Sequence, residues 1–175
     1  MSRWGIVACG AMALAAGWLL CACSSARPVA VDRVHRMGEP VAVGPLIYTV
    51  IDTEWLNQMG EGATARVPQN RFLLLRLSVT NSGASNSGVP GMTLVDASGK
   101  TYTELTDGHG VSEWLGYLRT VSPAQTERGH VLFDVPTGAY RLRVTNDAEP
   151  GTEKAELIEI PLQLSPSLPN LPGER

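Results

Sequence analysis

The feature that most constrains the fold of this chain is a two-residue alternation of apolar and polar side chains, which recurs in short segments. In YRLRVT (140–145), apolar side chains occupy every second position and arginine or threonine occupies the others. This period is typical of a strand with one face in a core and the other in water. No stretch of ten or more residues keeps a persuasive helical period. The segments with strand character are 46–55, 72–83, 92–105, 130–136, 140–145 and 156–164.

About seven short strands joined by turns predict an all-β chain that folds as an antiparallel sandwich of two sheets. A small barrel is the alternative. Within 92–105, Asp96 and Gly99 predict a hairpin, because glycine can take positive φ and an aspartate can accept hydrogen bonds from turn amides. Trp55 ends its segment on the face shared with Ile47 and Ile51, so we expect it to pack in the core.

The alternation also assigns faces to the other strands. Pro161 cannot donate to a ladder, so it predicts an edge strand or a bulge at 156–164. His130, Leu132 and Asp134 are expected to point outward. The side chains expected in the core are Leu73, Leu75, Leu77, Val79, Val131, Phe133, Val135, Tyr140, Leu142, Val144, Ile158, Ile160, Leu162 and Leu164.

Composition narrows the class of protein. The chain has 175 residues and 43% apolar content, which suits one domain with tails. Its net charge is −3 and no basic cluster occurs, so nucleic acid is not expected as a partner. Cys9, Cys21 and Cys23 all precede the predicted strands. The folded part therefore has no disulfide framework, zinc knuckle or cysteine nucleophile.

The N-terminal segment from Trp4 to Cys23 carries no charged residue. It is long enough to cross a bilayer, so an uncleaved anchor and an ordinary signal peptide are alternatives. The sequence Leu20-Cys21-Ala22-Cys23, followed by Ser24, resembles the lipobox of bacterial lipoprotein signal peptides. The other cysteines fit less well, since Leu20 is too large to precede a cut at Cys21 and only eight residues precede Cys9.

The lipobox resemblance implies that residues 1–22 are removed and that Cys23 becomes the lipidated first residue, anchored in a membrane. Ser24 stands where an aspartate usually retains lipoproteins in the inner membrane, so the outer membrane is favoured if the source is Gram-negative. Residues 23–41 are predicted to be a flexible tether, and 42–164 the sandwich. Residues 165–175 have proline at every third position from 166 to 172 and are predicted to be a disordered tail.

The order of strand signals resembles the telokin-like, immunoglobulin-fold domains of many bacterial lipoproteins and secreted immunoprotective antigens. The resemblance implies an immunoglobulin-like sandwich in the cell envelope, and it brings no catalytic residues. One departure is Pro123-Ala124, where that family tends to have proline followed by glycine. The matching residues are Val43-Gly44, Tyr48-Thr49-Val50, Phe72–Leu75, Asn81, Leu94-Val95-Asp96, Gly99, Tyr102, Pro123, Gly129 and Val131–Pro136.

The polar cluster TDGHGVSEW (106–114) is the strongest candidate for chemistry, because Asp107, His109 and Glu113 could ligate a metal or act as acid and base. A single histidine with two carboxylates is a weak zinc pattern, so a solvated loop is the simpler interpretation. His35 and Met37, with Met59 and Met92, form a weaker copper pattern. We therefore expect no enzyme activity, no cofactor and no resident metal.

The aromatic residues between strands are the better candidates for binding. Trp114 and Tyr117 are expected either to plug one end of the sandwich or, with His109, to form an exposed binding surface. The favoured function is a lipid-anchored module that binds another envelope protein through loops or a sheet edge. The alternative is a structural lipoprotein that makes contact through its proline-rich tail. A metal carrier or envelope hydrolase ranks below both.

Overall fold

The computed structural model describes residues 33–62, 65–146, 148 and 152–163. The predicted signal peptide 1–22, Cys23 and the predicted tail 165–175 lie outside the described residues. Within the described residues no helix is long and apolar enough to span a bilayer. The strands are β1 Val34–His35, β2 Val41–Val43, β3 Leu46–Leu56, β4 Arg71–Asn81, β5 Ser87–Val89, β6 Thr93–Val95, β7 Thr101–Thr103, β8 Arg119–Val121, β9 Thr126–Val135, β10 Tyr140–Thr145 and β11 Ala155–Ile160.

The strands form two main sheets and a small ribbon. One sheet has the order β1-β11-β10-β6-β7, the other has the order β2-β3-β4-β9, and β5 pairs with β8. All pairs are antiparallel except β1 with β11. The all-β, immunoglobulin-like sandwich is confirmed and the barrel is excluded. Short strands such as β1 and β5 raise the count above seven, because their two or three residues carry little alternation.

The core lies between the two main sheets, on the faces that the alternation predicted. Leu73, Leu75, Leu77 and Val79 of β4 are each at most 1% exposed, and the inward residues of β9 and β10 join them. The buried Tyr48 hydroxyl donates a 2.7 Å hydrogen bond to the carbonyl of Thr145, which links the two sheets. The predicted hairpin is also present, with Gly99 at φ 87° and Asp96 Oδ1 accepting from the amides of Ser98 and Lys100.

A bulge in β3 corrects the predicted environment of Trp55. The register with β4 shifts between Val50 and Asp52, which leaves Ile51 42% exposed. The extra residue reverses the alternation, so Trp55 packs on the core, with its ring 6.5 Å from that of Tyr140. Core packing of Trp55 is confirmed, whereas the face it was predicted to share with Ile51 is wrong.

One further core assignment is wrong, and one residue that faces outward as predicted is nevertheless buried. Leu162 is 43% exposed because β11 ends at Ile160 and Pro161 follows it, and Leu164 lies outside the described residues. Leu132 faces away from the main core as predicted, yet it is fully buried. It belongs to a second apolar cluster on the outer side of the sheet, whose other buried members are Met59, Phe72 and Leu74.

The predicted tether is too long, since the fold begins by Val34 instead of residue 42. Val34 and His35 pair in parallel with β11, and Val41–Val43 pair with β3. The His35 ring lies 3.3 Å from a Glu156 carboxylate oxygen, and Met37 packs against the main core. Strand pairing across more than 100 residues is invisible to local patterns, which is why this segment reads as irregular in the sequence.

The structure also does not bring together the histidine and methionine residues of the copper pattern. Met92 is part of the main core, while Met59 belongs to the second cluster on the other side of the sheet. His35 is engaged by carboxylates, with Glu39 at 3.7 Å and Glu156 at 3.3 Å. The residues of the pattern therefore do not converge on one point.

Candidate functional site

The candidate site is built by residues 105–118, which we call the crossing segment because it runs from β7 of one sheet along the edge strand β9 of the other. The Leu105 amide donates to the Leu132 carbonyl at 2.7 Å. The His130 amide donates to the Glu113 carbonyl at 2.8 Å, and the Leu115 amide donates to the His130 carbonyl at 3.0 Å. These bonds satisfy part of a strand edge that would otherwise be open to other chains.

Two glycines permit the close approach of the crossing segment. A Cβ on Gly108 would lie 2.0 Å from Trp114 Cδ2, and a Cβ on Gly129 would lie 2.4 Å from the Glu113 carbonyl oxygen. Real Cβ atoms do not approach so closely, so both positions need glycine. The absence of a side chain at Gly108 thus allows the indole ring of Trp114 to pack against the backbone there.

The polar residues of 106–114 make turn and ion-pair contacts in the structure. Arg66 donates from Nη1 to the Asp107 carbonyl at 2.8 Å and lies 3.6 Å from the Asp107 carboxylate. Asp107 Oδ1 accepts from the His109 amide at 2.9 Å, which is a turn contact, and the His109 and Glu113 side chains are exposed. In the part of the chain that the structure describes, no group of three or more histidine, cysteine or acidic residues is placed to hold a metal ion.

A buried ion pair holds the far end of the crossing segment. The side chains of Arg119 and Glu104 are 6% and 3% exposed, and two parallel bonds of 2.9 Å join them. Arg119 also donates to the carbonyls of Gly116 and Pro90, and Glu104 accepts from the Met92 amide at 3.0 Å. Bidentate geometry and these added bonds compensate the desolvation of both charges. The pair therefore ties together the chain at positions 90, 104 and 116.

Sequence reasoning missed this pair. The two residues lie 15 positions apart, each next to a strand end, where charged residues are usually exposed. The one available signal is that Glu104 breaks the alternation after Tyr102 at a position expected to be inward. Nothing in the sequence selects Arg119 as its partner.

The aromatic segment turns out to combine both predicted roles. Leu115 packs on the main core and Trp114 is half-buried against Gly108, as expected for a plug. Tyr117 is 39% exposed and Leu118 is 95% exposed. We call Tyr117 and Leu118 the apolar ridge. The apolar ridge directly precedes Arg119, which is the first residue of β8 in the β5–β8 ribbon.

Two cavities flank the apolar ridge. One, of about 400 Å³, lies against Tyr117, Pro90 and the backbone of Gly88 and Gly91. The other, of about 180 Å³, we call the notch. Neither His109 nor Trp114 lines these two cavities, and a binding surface shared by His109, Trp114 and Tyr117 stays a prediction. The notch is lined by Val79, Val89, Leu115, Leu118, Arg119, Thr120, Val121 and Glu127.

The clearest pKa shifts lie away from this ridge, at the β6–β7 hairpin and the strand facing it. The Ser98 hydroxyl, which donates to Asp96, lowers the pKa of that carboxyl below its ordinary value. Burial raises the pKa of Tyr140 to about 12, and its hydroxyl donates to the Pro136 carbonyl. Both groups keep one charge state around neutral pH and serve structural roles.

Comparison with known proteins gives a family but no activity. The sequence matches the family described as "Domain of unknown function (DUF4352)" over residues 35–156. The chain belongs to the DUF4352 family. No curated protein matches the sequence. The family match begins at His35, inside β1, which agrees with a fold that includes the residues predicted to be tether.

Solved structures support the fold of this DUF4352 protein. The yjhA protein of Bacillus subtilis is similar with a TM-score of 0.57 and 16% identity, covering 73% of this chain and 99% of that one. A functionally unknown protein of Listeria monocytogenes has a TM-score of 0.53 and 12% identity, over 71% of this chain and 82% of its own. "A putative lipoprotein (ycdA)" of Bacillus subtilis has a TM-score of 0.50 and 15% identity, covering 69% of this chain and 38% of that one. At these identities the likeness concerns the fold alone.

Proposed function

We propose that this DUF4352 protein is a lipid-anchored binding module of the bacterial cell envelope, which recognises another envelope protein through the apolar ridge. The observation that carries the proposal is Leu118, whose side chain is 95% exposed next to the notch. Exposed apolar patches mark interaction sites, and tyrosine, as at position 117, is among the residues enriched at the energetic centres of protein interfaces. The buried Arg119–Glu104 pair directly behind the ridge would keep it rigid, which lowers the entropy lost on binding.

The lipid anchor of this proposal is Cys23. Ten residues lie between it and Val34, so the intervening chain reaches at most about 35 Å when fully extended. The folded domain would thus stay close to the membrane, with the outer membrane favoured if the organism is Gram-negative. The similarity to a protein described as a lipoprotein is consistent with this location. The finer kinship with telokin-like domains stays a prediction.

A binding role is favoured over catalysis by the arrangement of the polar residues. Asp107 is engaged by Arg66, and the exposed His109 and Glu113 side chains do not converge with it. A general acid, a base and a reacting atom must lie within hydrogen-bond reach of one another. We therefore propose that the protein is not an enzyme and acts by recognition.

The anchor and the ridge are tested separately. Mass spectrometry of the N-terminus should find Cys23 as the first residue, carrying diacylglycerol; an intact segment 1–22 contradicts the anchor. For the ridge, a photocrosslinking amino acid replaces Leu118 in the full-length protein in intact cells, and the same group at exposed Ala97 of the β6–β7 hairpin serves as control.

The expected result is one discrete adduct from position 118 that is absent from position 97 and is weakened by Tyr117→Ala. Equal adducts from both positions would contradict recognition by the ridge. Deleting residues 165–175 distinguishes recognition by the ridge from the structural alternative. Loss of the adduct in the tail-less protein would assign the contact to the tail.

A further inference from the structure

The notch beside Leu118 reaches from the surface to the main core. Val79, Val89 and Val121 form its floor and are at most 5% exposed, while Leu118 forms one rim. Its volume is about 180 Å³. An apolar cavity of about 150 Å³ accommodates a benzene-sized group, so the notch has room for one branched aliphatic side chain.

The charge at the notch is negative and comes from a single residue. Arg119 also lines the notch, but its guanidinium is neutralised by Glu104 at 2.9 Å. Glu127 lies opposite Val79 in the ladder, on the inward face at the start of β9, and is exposed. It takes part in no ion pair among the described residues. Its neighbour Arg128 points to the other face of the sheet, because side chains alternate along a strand.

We infer that the partner at the apolar ridge is a polypeptide segment that places a branched aliphatic side chain in the notch and a lysine or arginine beside Glu127. This inference rests on the proposed function and adds the chemistry of the partner. The aliphatic side chain and Leu118 leave water on binding, whereas the valine floor is already buried. The basic residue complements the one uncompensated charge of the site, and an acidic residue there would be repelled.

A random peptide library displayed on phage tests the inference with the full-length, lipidated protein in detergent as bait. The baits are the wild type, Leu118→Asp, Glu127→Lys and the matched control Glu54→Lys, which changes an exposed glutamate on β3. Leu118 and Glu127 are exposed, so these substitutions should leave the fold intact, and thermal unfolding of each bait verifies this.

The expected result is that wild type and Glu54→Lys enrich sequences with Leu, Ile or Val next to Lys or Arg, and that Glu127→Lys enriches Asp or Glu at that place. A peptide from the wild-type pool should bind Glu127→Lys up to about 5-fold more weakly, which is the upper range for an exposed ion pair. Enrichment that depends on Leu118 but keeps the same charge with Glu127→Lys overturns this inference and leaves the ridge as a binding site. Equal enrichment by wild type and Leu118→Asp overturns both the inference and the ridge.

Discussion

At the scale of single residues, Ala124 explains the departure of Pro123-Ala124 from the proline-glycine pattern of telokin-like domains. Its φ is 58°, in the left-handed region that glycine adopts without cost. The alanine keeps the turn because both ends are held: its amide donates to the Asn81 carbonyl at 2.9 Å, and the Gln125 carbonyl accepts from the Asn81 amide at 3.0 Å.

Ala124→Gly should stabilise the protein. Relief of left-handed strain contributes about 1–2 kcal/mol, and the greater unfolded-state entropy of glycine offsets about half of it, so the expected gain is about 0.5–1 kcal/mol. The measurement is the free energy of unfolding from urea titration. Ala97→Gly, in a turn at a position without positive φ, is the control and should give no gain. An unchanged or lower stability for Ala124→Gly would show that the turn is not strained.

Asn81 is a second residue whose role depends on its surroundings. It is fully buried, and its side-chain amide donates 2.8 Å bonds to the carbonyls of Ser85 and Val121, while its Oδ1 accepts from the Gly83 amide at 2.9 Å. These three bonds satisfy the polar atoms of the Asn81 side chain within the protein, and they fix the loop after β4 against β8.

Asn81→Leu should lower the free energy of unfolding by about 3 kcal/mol, because it leaves the buried Val121 carbonyl and the part-buried Ser85 carbonyl and Gly83 amide without this partner. The control is Asn70→Ala, since the Asn70 side chain makes an exposed bond of 3.3 Å to Asp134 and its loss should cost below about 1 kcal/mol. Equal losses for the two variants in chemical unfolding would contradict the role of Asn81 in fixing the loop.

At the scale of elements, the crossing segment depends on contacts that are distant in sequence. Its bond to β9 requires Gly129, where a Cβ would meet the Glu113 carbonyl oxygen at 2.4 Å. Gly129→Ala should therefore push residues 113–115 away from the edge of β9. We expect a loss of about 1–3 kcal/mol from overpacking and faster amide exchange at His130 and Leu115.

Hydrogen exchange followed by mass spectrometry measures this effect locally. Gly138→Ala is the matched control, because its nearest neighbour would lie at 3.8 Å from the new Cβ and its φ is not in the left-handed region. Slow exchange at His130 in Gly129→Ala would mean that the segment accommodates the methyl group without detaching.

The buried Arg119–Glu104 pair behind the ridge leads to a second prediction at the scale of elements. Glu104→Ala leaves the Arg119 guanidinium buried without its carboxylate, and breaking a buried pair typically costs about 3–5 kcal/mol. The exposed Arg76–Asp52 pair, at 3.9 Å, is the control, and Asp52→Ala should cost below about 1 kcal/mol. Urea unfolding measures both.

Glu104→Ala combined with Arg119→Met should recover part of the loss, because it removes the uncompensated charge. A double variant no more stable than Glu104→Ala would indicate that the Arg119 bonds to Gly116 and Pro90 carry the stabilisation instead of the ion pair.

At the scale of the whole molecule, the sandwich brings two distant stretches of chain together at the proposed binding surface. β5 and β8 form a ribbon beside the start of β9, so Val89, Leu118 and Glu127 line one notch although the chain between them crosses both sheets. The side of the chain that carries the proposed anchor enters through β1, which pairs with β11 near the other end of the sequence. The proposed recognition surface and the proposed anchor thus belong to different parts of the sandwich.

The inward faces of β4, β9 and β10 follow from the sequence by itself, because alternation along one strand is a local property. The same applies to the Asp96–Gly99 hairpin, and the lipobox at Cys23 is likewise a local pattern, although its processing stays a prediction. Tertiary structure alone decided the bulge at Ile51, the burial of Leu132 and the Glu104–Arg119 pair. Tertiary structure also decided that Leu118 is exposed while Leu115, three residues earlier, packs on the core. Each of these depends on contacts between residues far apart in the chain, and such contacts leave no period in the sequence.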